Sequence, residues 1–235
     1  MTPVRRRLAL AVGAAVSLLA SPAVRAGAQR EESLADPVRN VLSSQIADAA
    51  PRDLTFGSYA ERIAYLNWLG EMSNRLKRRQ DDFQVRQELL QSVWYEARRA
   101  GLPTDLVLGL MEVGSGFRKH VVSVAGARGL MQVMPFWTRQ IGNGDPRTLF
   151  DLRTNLRYGC TILRYYLDRE SGDLYFALGR YNGSRGRPEY PNAVLSASRR
   201  WQMPAVAGAA PAPAPVTPGG PRSSVPIVIP APPVR

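Results

Sequence analysis

Between residues 58 and 180 apolar side chains return every three or four positions, and no run alternates strongly enough to demand a large sheet. The chain is therefore expected to be mainly α. Ser58-Tyr59-Ala60-Glu61 is a capping box, and Ile63, Leu66, Leu69, Met72 and Leu76 follow it at helical spacing, predicting a helix over 58–79. A second should run from Asp81 or Asp82 to Arg99, with Val85, Leu89, Val93 and Ala97 on one stripe and Gly101 as the stop. Pro103 opens a third, through Leu106, Val107, Leu110 and Met111 to about Gly114. Further helices are expected at 130–141, 153–169 and 172–180. Residues 115–129, rich in Gly, Ser and Val, suit a short hairpin or an irregular loop.

The two ends differ from this body. Arg5, Arg6 and Arg7 precede an uncharged apolar stretch, Leu8 to Ala20, too short for the roughly 20 residues that span a bilayer. Small residues then stand at cleavage spacing, as Val24-Arg25-Ala26 or Ala26-Gly27-Ala28. This is the pattern of an export signal over residues 1–28, cut near Ala26 or Ala28. The mature chain is therefore expected to be exported, in a bacterium to the periplasm or beyond, with no stable membrane anchor once the signal is gone. From Met203 to Arg235 there are ten prolines in 33 residues, which blocks helix and predicts a disordered tail over 203–235. Between the ends, 29–84 is expected to be an N-terminal helical segment and 85–202 the main domain.

Two counts exclude much chemistry. With one cysteine, Cys160, and one histidine, His120, the chain has no intrachain disulfide, no paired-cysteine redox motif and no His/Cys zinc cage. A nucleophile activated by histidine would have to recruit His120, whose ordinary role is at a surface or in packing. No metal or cofactor is expected. Gly114-Ser115-Gly116 lacks the Lys-Ser/Thr of a phosphate loop, and Asn143-Gly144-Asp145 lacks the spaced acids of a calcium loop. Removing residues 1–28 removes four arginines and no acid, leaving 27 basic against 19 acidic residues, a net charge of +8. Such a surface attracts polyanions. For an exported chain, the peptide carboxylates of peptidoglycan fit, whereas nucleic acid fits the charge but not the compartment.

Three blocks carry a resemblance. Gly101-Leu-Pro-Thr-Asp-Leu-Val-Leu-Gly-Leu-Met111 followed by Ser115-Gly-Phe117, then Ala125-Gly-Ala-Arg-Gly-Leu-Met-Gln-Val-Met-Pro135, then Ala177-Leu-Gly-Arg-Tyr-Asn-Gly183 resemble the soluble lytic transglycosylase (SLT) domain. The likeness covers roughly 85–200, in the family's order and spacing. It implies a lysozyme-like domain, here with extra N-terminal helices, that binds glycan strands of peptidoglycan. It also implies cleavage of the bond between N-acetylmuramic acid and N-acetylglucosamine without water, leaving 1,6-anhydromuramoyl ends. Most glycosidases use two carboxylates. This family is understood to use one glutamate, first as acid toward the leaving oxygen and then as base toward the C6 hydroxyl.

By the same resemblance that glutamate stands directly before Ser-x-Phe and twelve residues ahead of the Gly-Ala-Arg-Gly block, which here is Gly114. The carboxylate is absent. Glu112, two residues back on a helix, should point about 200° away and is a poor substitute. Ser115, Met131, Gln132, Tyr181 and Asn182 are the implied substrate-binding residues. Gly126 and Gly129 suit positive φ or close approach. Three readings stay open: a transglycosylase acting through Glu112 or another carboxylate, an inactive glycan-binding protein or scaffold that places partner cell-wall enzymes, and a basic protein that binds by charge alone.

Overall fold

A computed structural model describes residues 29–47 and 54–204. The expected export signal, and the proline-rich tail beyond Pro204, lie outside them. Among the described residues the helices are α1 (Asp36–Ala47), α2 (Tyr59–Leu76), α3 (Phe83–Arg99), α4 (Thr104–Gly114), α5 (Phe136–Ile141), α6 (Leu152–Arg169), α7 (Leu174–Asn182) and α8 (Glu189–Trp201), with a 3₁₀ turn at Pro146–Phe150 before α6. Among the described residues, extended pairing is confined to isolated antiparallel bridges of Arg128 with Val122 and with Val133. The described residues up to Met203 belong to one compact unit, and α3 runs across the 84/85 division expected from the sequence.

Local chemistry sets the helix ends. Ser58 Oγ accepts from Glu61 N at 3.1 Å, while the Glu61 carboxylate takes the backbone N–H of Gly57 at 2.8 Å, one residue earlier than a standard capping box. Asp82 caps α3 by accepting from the N–H groups of Gln84 and Val85. After Arg99 the chain turns left-handed at Gly101 (φ 64°), with Gly101 N bonded to Arg98 O and Leu102 N to Ala97 O. That pair of bonds is a Schellman motif. Pro103 lies just outside α4, at its N-cap.

Helix α4 is the centre of the body. Leu106 to Met111 are all buried, the pattern of a helix enclosed on every side. Against it lies α8, which the periodicity did not predict; nor did it predict α1. The approach is possible because position 109 has no side chain: a Cβ there would sit 2.6 Å from Ser198 N and 2.8 Å from Ser198 Cα.

The buried faces of α2 and α3 differ from the expected stripes. Ile63 (39% exposed), Leu66 (49%) and Val85 (38%) face water. Instead Tyr65 and Trp68 join Leu69, Met72 and Leu76 inside, where their rings pack with Phe56 and Trp94. Aromatic rings remove more apolar surface from water than the aliphatic residues they displace to the outside. The interior also holds charge. Glu96 on α3 is paired with Arg157 on α6 and with Arg99, each at 2.8 Å, and Arg157 donates to Gln45 O of α1. A buried guanidinium and carboxylate persist only when both are paired. This group ties α1, α3 and α6 together.

Glu112 does the same at the far end of α4. Its carboxylate accepts from Arg79 Nη2 (2.7 Å), Arg200 Nη2 (2.9 Å) and Trp201 Nε1 (2.6 Å), joining the segment after α2 to the end of α8. Burial raises its pKa, but the three donors outweigh burial and hold it below the ordinary carboxylate value.

Two outcomes follow from these contacts. Gly109→Ala should lower stability by about 1–2 kcal/mol, since displacing α8 exceeds the helix-propensity gain of about 1 kcal/mol. Gly70→Ala at an exposed position of α2, where an added Cβ meets nothing within 4 Å, should raise it by about 0.5–1 kcal/mol. Chemical denaturation measures both, and equal effects would contradict the close α4–α8 approach. Glu112→Gln should cost about 1–2 kcal/mol near neutral pH, Arg79 and Arg200 being partly screened by water. Because the folded pKa is depressed, that difference is full above the ordinary glutamate value of 4.5 and closes as pH falls through the folded value. Denaturation midpoints from pH 7 down to acid should show the two proteins converging.

Candidate functional site

The three sequence blocks meet at the end of α4. Its last turn closes on Met111 O, which accepts from Ser115 N, Gly116 N and Ser115 Oγ, each at 3.0 Å. Ser115 Oγ also accepts from Phe117 N, so this buried hydroxyl is committed to the turn. Gly116 and Phe117 are both left-handed, at φ 59° and 65°. Phe117 is held there between the Trp201 ring, 5.2 Å away edge-on, and the Arg79 guanidinium at 5.6 Å.

The second block is a turn, not the start of the helix expected over 130–141; only Phe136–Ile141 is helical. Gly126 has φ 88° and Gly129 φ 74°. Gly129 is also crowded: a Cβ would lie 2.4 Å from both Asn155 Nδ2 and Leu149 O. Asn155, on α6, makes this possible. Its Oδ1 accepts from Met131 N at 2.7 Å, and its Nδ2 donates to Arg128 O and Leu149 O at 2.9 and 2.8 Å. One buried carboxamide thus pins the block. Nothing in the sequence marked it, because a lone asparagine within a helix has no local signature.

Met131 departs from its implied role. Its side chain is fully buried, resting on Gly159, where a Cβ would come within 2.3 Å of Sδ, and on Cys160. It is core, and its carbonyl accepts a hydrogen bond from the third block. Gln132, with φ 54°, folds back so that Nε2 donates to Gly129 O at 2.8 Å. Its Cγ lies 3.2 Å from where a Cβ on Gly114 would be. Position 114 therefore faces the Gln132 side chain.

In the third block Tyr181 donates its hydroxyl to Met131 O at 2.8 Å. Burial raises the Tyr181 pKa well above its ordinary value, so it remains a phenol. Asn182 is buried beside it and donates to Ser184 Oγ at 3.0 Å. Beyond Gly183, Glu170 receives Arg185 Nε and Nη2 at 2.8 and 2.9 Å, and Arg180 as well. Those partners, Arg185 first, hold Glu170 at about 2 and anchor the loop that follows Asn182. The sequence offered no sign of this clamp either.

Gly114, Gln132, Met131 and Tyr181 are thus joined by contact, with Ser115 and Asn182 at the two edges. Gly114, Gln132 and Tyr181 make no hydrogen bond to a carboxylate among the described residues. Glu112 is engaged elsewhere, by Arg79, Arg200 and Trp201. His120 is exposed and its ring lies 5.9 Å from that of Phe150. The Cys160 thiol is buried, which pushes its pKa up. Among the described residues no group of three or more His, Cys, Asp or Glu could hold a metal. An apolar groove between α1 and α6, with Val38, Val41 and Tyr165 in its walls, contains none of the block residues.

The transglycosylase SLT domain model matches residues 92–196. Among curated proteins, membrane-bound lytic murein transglycosylase C of Haemophilus influenzae strain PittEE is 31% identical over 105 residues, covering 38% of this chain and 29% of that protein. The protein of the same name from Haemophilus ducreyi is 54% identical over 39 residues, covering 17% of this chain and 11% of its own. The chain thus spans under a third of the length of these relatives. The solved structure of an inactive mutant of lytic transglycosylase Slt from Pseudomonas aeruginosa matches with a TM-score of 0.44 at 18% identity, covering 74% of this chain and 38% of that one. Residues 92–196, which contain all three blocks and are mainly helical, match the transglycosylase SLT domain family.

Proposed function

We propose that this chain is an exported protein that binds glycan strands of peptidoglycan at the junction of Gly114, Gln132 and Tyr181, and that it lacks the acid needed to cut them. The observation that carries this reading is the contact between position 114 and the Gln132 side chain. It supports the register in which the family resemblance expects a glutamate at 114, where this chain has glycine. General acid–base catalysis by a positioned group is worth roughly 10²–10⁴-fold, so its absence leaves binding with little or no turnover.

Glu112 does not fill the gap. A general acid at neutral pH needs a raised pKa, and Glu112 has a lowered one, with its carboxylate taken by three donors. Recruiting it would also break its bonds to Arg79, Arg200 and Trp201. The backbone does not require glycine at 114: its φ lies outside the left-handed region, and the nearest obstacle to a side chain is the flexible Gln132. Restoring a glutamate should therefore leave the fold intact.

The net charge of +8 after signal removal supports retention on an acidic wall polymer. No helix among the described residues is long and apolar enough to cross a membrane. Ser115, Gln132 and Asn182 supply hydroxyl and amide groups suited to sugar hydroxyls and acetamides. In the structure these groups bond to the protein itself, so binding glycan through them requires local exchange of partners. A scaffold role, placing partner enzymes on the wall, is compatible with binding without turnover.

The test compares purified sacculi treated with the protein and with its Gly114→Glu variant, with anhydromuropeptides measured by mass spectrometry. Product should rise about 10²–10⁴-fold in the variant, while both proteins sediment with sacculi and are released by soluble glycan fragments. Equal and abundant product from both would place the acid elsewhere. Release by salt alone, with no competition from glycan, would leave only charge-driven binding.

A further inference from the structure

The segment 29–34 is tied to residues more than a hundred positions away. Glu31 pairs with Arg139 at 2.9 Å, Glu32 with Arg169 at 2.7 Å, and Gln140 Nε2 donates to Glu32 O at 2.8 Å. Leu34 is buried. At the front of the strap, Gln29 is 8% exposed and its carboxamide is bonded at both ends. Oε1 accepts from Trp137 Nε1 at 2.9 Å, and Nε2 donates to the hydroxyl of Tyr166. The two rings stand nearly perpendicular, with centroids 6.2 Å apart. Trp137 belongs to α5, the helix that continues directly from the second block, so the strap bears on the element next to the glycan site.

Gln29 is also the residue that follows Ala26-Gly27-Ala28. We propose that cleavage after Ala28 makes Gln29 the first residue of the exported chain, and that the Trp137–Tyr166 socket keeps this end from cyclising to pyroglutamate. An N-terminal glutamine cyclises when its α-amine attacks Cδ of its own side chain. A new C–N bond closes a five-membered lactam, the Cδ–Nε2 bond breaks, and Nε2 departs as ammonia after taking up a proton. In the socket, the departing nitrogen is the one that donates to Tyr166, and the carboxamide is shielded from the water that would deliver the proton. Cyclisation therefore requires the strap to open first, and its rate follows the fraction of molecules with Gln29 out of the socket. Gln29 is a latent modification site, closed in the native state. The inference rests on the export reading and is independent of the glycan-binding one.

The full chain, expressed with its leader in an exporting bacterial host, provides the test. The N-terminal peptide of the purified protein should begin at Gln29 with its amide intact. Incubated at one pH and temperature, the native protein should lose one ammonia from that peptide at least about tenfold more slowly than the same protein held unfolded in urea. Tyr166→Phe keeps the ring but removes the hydroxyl, and should speed the native reaction several-fold, as expected for one lost hydrogen bond. The urea comparison uses the unaltered chain, so the outcome does not depend on how well the variant folds. A different first residue, a retained leader, or equal rates in native and unfolded protein would overturn the proposal. None of those results touches the sacculus assay, which tests glycan binding separately.

Discussion

Everything in this body is arranged around a helix that has no outside. With Leu106 through Met111 all buried, α4 cannot be stable alone in water, and its partners must cover it from every direction. The closest partner, α8, reaches it only because Gly109 has no Cβ. The same enclosure determines where chemistry can occur. An enclosed helix presents only its ends, and the end that meets the second block is the one carrying Glu112, Gly114 and Ser115. Two residues of helical rotation separate a carboxylate locked into the scaffold from a bare backbone position facing Gln132.

The site is held by polar groups acting at a distance in sequence. Asn155 uses its whole carboxamide to hold the turn over Gly126 to Val133, and Tyr181 adds a bond to the same turn through Met131 O. Glu170 anchors the loop beyond Asn182 through Arg180 and Arg185. Buried polar groups of this kind are expensive unless every partner is present. Once complete, they hold the turn in which Gln132 is left-handed, a conformation that no local preference would select. The left-handed Phe117 and Gln132 both lie next to position 114.

The residues before the SLT domain are part of the body. Gln29 and Leu34 are buried, α1 is bonded to Arg157 of α6, and Arg86 of α3 holds the connection after α2 through Gln80 O and Asp81 O. Contacts of this density explain why the compact unit extends on both sides of the segment that matches the family.

Helix class, most ends of the expected helices and the stop at Gly101 were legible in the sequence. Each depends on neighbours within a few positions: a cap or a turn that needs glycine. Which face of α2 turns inward, that Met131 is core, that the second block is a turn pinned by Asn155, and that Glu112 belongs to the scaffold were decided by tertiary structure. Those outcomes depend on which distant surfaces meet, and periodicity cannot rank Ile63 against Tyr65 without the Trp94 ring that Tyr65 packs on. The sequence determined which local shapes the chain can take, because caps, turns and spacing are properties of adjacent residues. The fold decided what each side chain faces, because burial and pairing are properties of contacts between residues far apart in the chain.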